Sequence, residues 1–133
     1  MNNYSKISLS ENGRTELHDA LSLTGAEISV NSLPAGASVP FVHVHRQNEE
    51  IYAVLEGKGK AEIDGESIEI KAGDWVRIAP KAKRRFFAAD DEGIKYICIQ
   101  VKENSLGGYS MPHAHRKPDR YIVVLCLSCD PSK

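Results

Sequence analysis

A chain of 133 residues, 41% of them hydrophobic, is long enough to form one domain around its own core without disulfides or a structural metal. Seventeen basic residues against 18 acidic ones leave a net charge of -1, which gives no electrostatic footprint for nucleic acid or an anionic membrane. The three cysteines, Cys98, Cys126 and Cys129, make no disulfide framework and fit a reducing compartment. The first residues lack the apolar core of a signal peptide, and no stretch reaches the roughly 18–20 apolar residues of a membrane span. A cytoplasmic protein is the expectation.

In chain order, the spacing of Leu17 and Leu21 predicts a short helical segment within residues 14–23. Ala26, Ile28 and Val30 then alternate with Glu27, Ser29 and Asn31, the pattern of a half-buried strand. Val39 to His45 reads as extended. Glu50 to Glu56 reads as a strand ended by Gly57-Lys-Gly59. Lys60 to Ile63 and Glu66 to Ile70 flank Asp64-Gly65, a two-residue hairpin signal. Trp75 to Ala79, Arg85 to Ala88 and Ile94 to Val101 supply further strands, with Phe86 and Phe87 expected in the core. The basic run Lys81 to Arg85 reads as a solvated loop. Many short strands with regular turns predict an all-β sandwich or barrel. Residues 1–25 form an N-terminal segment, 26–104 the barrel, and 105–133 a C-terminal extension or tail, in which His113, His115, Cys126 and Cys129 have no familiar zinc-site spacing.

His43-Val-His45 places two imidazoles on one face of an extended segment, because side chains alternate with period two. Glu50 opens the next strand after a short turn and can lie beside them. Two histidines and one carboxylate form a facial ligand set that leaves metal positions open for water, substrate or dioxygen. Fe, Mn, Ni or Zn all suit these donors.

The stretch His43-Val-His-Arg-Gln-Asn-Glu-Glu50-Ile-Tyr-Ala-Val-Leu-Glu-Gly57 resembles the first motif of the cupin superfamily, and Gly73 to Pro80 resembles the approach to the second. The resemblance covers most of residues 26–102. It implies a cupin-type jelly-roll β-barrel of two antiparallel sheets, often a homodimer, with the metal ligands at His43, His45 and Glu50. Counting back from Gly57 selects Glu50 rather than Glu49. The chain departs from the family at Gly36, one residue further from the histidines than usual, and at Arg85, which stands where counting from Pro80 places the family's histidine ligand. Arginine has no lone pair for a metal, so three protein ligands are the first expectation, with Arg85 facing the cavity for an anionic ligand. The alternatives are a degenerate site in which Arg85 binds an anion instead, or an Arg85 that swings outward with the basic loop. Tyr52 and Gln100 are further candidates for the pocket wall. The expected function is a metal-dependent enzyme acting on a small metabolite, of the dioxygenase, isomerase or decarboxylase type. No separate general base stands out. The alternative is a non-catalytic module that binds a small anionic molecule.

Overall fold

Period-two patterning and glycine-bearing turns give seven strands and one short helix in the computed structural model, which describes residues 3–10 and 13–107. The strands are β1 (Arg14–Glu16), β2 (Glu27–Leu33), β3 (Asn48–Ile63), β4 (Glu66–Lys71), β5 (Trp75–Ile78), β6 (Arg84–Ala88) and β7 (Ile94–Lys102), and the helix is α1 (His18–Leu21). All pairings are antiparallel. One sheet runs β1-β2-β7-β3-β5, and the other places β4 and β6 on either side of the second half of β3. The two sheets make an all-β jelly-roll barrel whose strand pairing does not close into a ring. The chain divides into two units after Glu103, and all seven strands and the helix belong to the first. The expectations for residues 108–133, including His113, His115, Cys126 and Cys129, lie outside the described residues.

The long strand β3 serves both sheets because an irregularity between Val54 and Glu56 inserts one residue into its ladder with β7. Such a bulge switches the face on which side chains project. Before it, the even residues Glu50, Tyr52 and Val54 point inward and are buried; after it, Ala61 does. Opposite Ala61 stands Phe86, and opposite Ile63 stands Arg84, so β6 turns Arg84, Phe86 and Ala88 inward. The core is centred on Tyr52, Phe86 and Tyr96, with ring centroids 4.1 Å apart for Tyr52–Phe86 and 5.3 Å for Phe86–Tyr96. Each aromatic pair contributes about 0.5–1.5 kcal/mol beyond its area burial.

Several local expectations change. Within residues 14–23 the expected short helical turn is His18–Leu21, and Arg14–Glu16, not foreseen, pair with β2 as an edge strand. Pairing with β2 satisfies backbone groups that an isolated two-turn helix would leave to water. Residues 38–45 form no strand: the chain bends at Pro40 and Phe41 and touches β6 through two isolated bridges, Ser38–Phe87 and His43–Arg84. Glu50–Glu56 and Lys60–Ile63 are one continuous strand through Gly57 and Gly59. Phe87 lies on the outer face of β6, with the charged groups of Lys60 and Arg85 each 4.9 Å from its ring centre. The Asp64-Gly65 hairpin is as expected, with φ of 49° and 86° as a type I′ turn requires.

Candidate functional site

Register builds the site in rows on the inner face of the larger sheet. Arg14 lies opposite Asn31, which lies opposite Tyr96, which lies opposite Val54. The next inward row is Ser29, Cys98 and Tyr52, and the next is Glu27, Gln100 and Glu50. Directly opposed residues project to the same side of a sheet, so residues far apart in sequence line one cavity of about 640 Å³. His43, His45, Glu50, Tyr52 and Gln100 all line it, together with Phe41 and Arg14. The segment carrying the histidines is pinned to β6 and its preceding turn: His43 N–H donates to Arg84 O at 2.9 Å, Arg84 N–H to His43 O at 3.0 Å, and Lys81 N–H to His45 O at 2.7 Å.

Glu50 is the hub, with 2% of its surface exposed. Its Oε1 accepts from the Tyr52 hydroxyl at 2.7 Å and from Arg84 Nη1 at 2.7 Å. Its Oε2 lies 2.9 Å from His45 Nε2 and accepts from the Cys98 thiol at 3.3 Å. Burial pushes the Glu50 carboxyl upward, but the Tyr52 hydrogen bond, the Arg84 charge and His45 outweigh it, and the net direction is down. Glu50 is therefore held as a carboxylate. Burial drives the Tyr52 hydroxyl up, helped by Cys98 and Glu50, and burial with the same carboxylate pushes the Cys98 thiol up to about 12. Both remain protonated donors. Desolvation lowers His43 below the ordinary histidine range against the pull of Glu50, which keeps its imidazole neutral.

Arg84, entirely buried, is the residue that sequence spacing missed. Besides Glu50 it donates through Nη2 to Ala79 O at 2.8 Å, and its Nε has no partner among the described residues. Arg85 does not reach the cavity. Its Nε donates to Val39 O at 2.8 Å and its Nη2 to Ser38 Oγ at 3.2 Å, on the opposite face of β6. Counting from Pro80 selected Arg85, but a turn intervenes with Lys81 at φ 72°, and turns do not preserve strand parity. Both parities of residues 84–89 read arginine, phenylalanine, alanine, so no local signal separated Arg84 from Arg85. Gln100 accepts from Asn48 Nδ2 at 3.3 Å, and Glu49 faces out to Arg77, with a 2.6 Å ion pair.

The donor set can be tested against a metal on spacing. Two ligand atoms about 2.0–2.1 Å from one ion and at right angles stand about 2.9 Å apart. His45 Nε2 and Glu50 Oε2 have that separation, 2.9 Å. Deprotonated carboxylate and neutral imidazole are also the forms a metal requires. With Oε1 taken by Arg84 and Tyr52, Glu50 has only Oε2 to offer an ion. No three His, Cys, Asp or Glu side chains among the described residues are already gathered into a ligand cluster. The donor types suit a metal. The 2.9 Å His45–Glu50 spacing matches neighbouring ligand positions and equally an ordinary hydrogen bond, and His43 is on the same cavity wall.

An antiparallel two-sheet barrel with histidines and a buried glutamate facing its cavity defines a small cupin-type protein. The Cupin domain family model matches residues 30–100, and the chain belongs to that family. A cupin protein of Bacteroides fragilis is 62% identical, the match covering 84% of this chain and 94% of that one with a TM-score of 0.80. A predicted oxalate decarboxylase of Thermotoga maritima is 25% identical over 56% of this chain and 64% of its own, with a TM-score of 0.53. An uncharacterized protein of Methanocaldococcus jannaschii is 35% identical over 66 residues, 50% of this chain. The chain spans about half the length of that curated relative, 52%.

Proposed function

We propose that this cupin binds one divalent transition metal through His43, His45 and Glu50 and acts on a small metabolite held in the same cavity. The observation that carries the reading is that two imidazoles and one carboxylate, from His43, His45 and Glu50, line one cavity. Fe, Mn, Ni and Zn all suit such ligands. The ion would supply Lewis-acid polarisation of a substrate oxygen or a site for dioxygen. The chain's own residues hold that site. Arg84 and Tyr52 fix Glu50 through Oε1, and the Phe41 and Phe86 rings line the cavity with apolar surface. Decarboxylation, isomerisation and dioxygenation are the reaction types proposed, the first supported by the likeness to the Thermotoga maritima protein. We further propose that the chain works in the cytoplasm as a homodimer.

One observation favours a second reading, a non-catalytic module for a small ligand. Both Glu50 oxygens already have protein partners, and Arg84 neutralises the carboxylate. The deciding experiment is elemental analysis of untagged protein, as purified and after incubation with each of the four ions. One ion per chain is expected, reduced to a small fraction in His45→Ala with the circular dichroism spectrum unchanged. Wild-type protein that stays metal-free with all four ions overturns the first reading in favour of the second.

A further inference from the structure

We propose that the cavity takes a small organic carboxylate with an apolar body, and that Arg14 at the cavity wall recognises its charge. This inference deepens the proposed function by naming a ligand class, and it does not depend on the metal. Arg14 belongs to β1, where its register opposite Asn31 puts its side chain on the inner face of the sheet. Its Nη1 donates to Asn31 Oδ1 at 2.8 Å, and the buried Asn31 amide in turn donates to Ser29 Oγ at 2.9 Å. The guanidinium is thus aimed by a buried polar relay rather than left to wander. Its other contact is Glu16 at 3.1 Å, a pair with both side chains more than half exposed. Such a pair is weak and easily exchanged for another carboxylate.

Charge balance within the cavity points the same way. Arg84 cancels Glu50 through the 2.7 Å ion pair. Among the described lining residues Arg14 is the one arginine or lysine, and its partner Glu16 is more than half exposed. A guanidinium offers a planar fork of N–H donors that matches a carboxylate, and each charge-assisted hydrogen bond is stronger than a neutral one. Between Arg14 and the histidines the wall is aromatic, from Tyr52, Phe86 and Tyr96 to Phe41, whose ring meets His43 edge-on at 4.8 Å. A volume of about 640 Å³ holds a ligand with a ring or short chain behind its carboxylate. Arg85 cannot take this role, since its guanidinium is committed to Val39 and Ser38.

The test titrates the full-length chain with benzoate and phenylacetate and with their neutral amides, benzamide and phenylacetamide, by calorimetry and saturation-transfer NMR. The acids are expected to bind at least about tenfold more tightly than the amides. Arg14→Gln is expected to remove about tenfold of acid affinity and none of the amide affinity, Arg14→Lys to recover part of it, and Arg85→Gln to change nothing. Equal affinity for acids and amides, acid binding unchanged in Arg14→Gln, a loss in Arg85→Gln instead, or no acid binding at millimolar concentration each overturns the proposal. Metal content is measured on the same samples. Metal-free protein that still binds acids through Arg14 defeats only the metal reading, and metal-loaded protein indifferent to Arg14 defeats only this one.

Discussion

At the scale of single residues, the molecule is organised by one buried charge pair. Arg84 has 0% of its surface exposed and Glu50 2%, so neither charge is solvated by bulk water. Removing one member of such a pair leaves the other uncompensated and costs about 3–5 kcal/mol, whereas removing both with apolar residues of similar volume is often close to neutral. Arg84→Met and Glu50→Leu are therefore each expected to be strongly destabilising, and the double variant to recover about 2–3 kcal/mol relative to the sum of the two. Urea unfolding of the four proteins measures this coupling. Additivity to within about 0.5 kcal/mol would show that the pair is held apart in solution. The same argument makes Glu50→Ala a poor probe of metal binding, because it strands Arg84, and makes His45→Ala the cleaner one.

At the scale of elements, two glycines of like backbone geometry have unlike surroundings. Gly57 has φ of 77° and Gly65 has φ of 86°, both in the left-handed region. A Cβ on Gly65, in the β3–β4 turn, meets nothing within 4 Å. A Cβ on Gly57 would collide with the backbone carbonyl of Gly93 where β7 begins. Gly65→Ala is expected to cost about 1–2 kcal/mol from conformation alone. Gly57→Ala adds a backbone clash that cannot rotate away, for about 3 kcal/mol or more in total. Equal midpoints for the two variants in urea would contradict the close approach of β3 to Gly93. What was readable in the sequence follows from what is local. Alternation at Ile28–Asn31 and Glu66–Ile70 marks half-buried strands, and Asp64-Gly65 marks a turn of known twist. His43, His45 and Glu50 are close in sequence, and the cavity brings them together. The bulge near Leu55 was hidden because Ile51-Tyr-Ala-Val-Leu55 is apolar throughout and shows no period. Adjacent Phe86 and Phe87 likewise masked which face of β6 is inward, and with it Arg84. Arg14 and Cys98 reach the site only through cross-strand register, which no short spacing encodes.

At the scale of the whole molecule, the outer face of the larger sheet is apolar in rows. Ile28, Ile99 and Ile51 are opposed in one row, and Val30, Ile97, Ala53 and Trp75 in the next. Trp75 is 69% exposed and sits at the end of its row on β5. Arg77, on the same face, is tied to Glu49 at 2.6 Å and Glu103 at 3.0 Å, which forms a charged border to the apolar rows. An apolar centre with a charged rim is the usual anatomy of a contact between subunits. A twofold contact would place each row against its copy, which suits the homodimer proposed above. Sedimentation velocity at micromolar concentration is then expected to give a dimer. Trp75→Glu puts a charge on the exposed end of an apolar row without disturbing a buried side chain, so it is expected to weaken dimerisation at least about tenfold while the thermal unfolding of the barrel barely moves. A wild-type monomer at ~10 μM, where a stable subunit contact would be saturated, contradicts the dimer. A Trp75→Glu dimer as tight as the wild type moves the contact to another face.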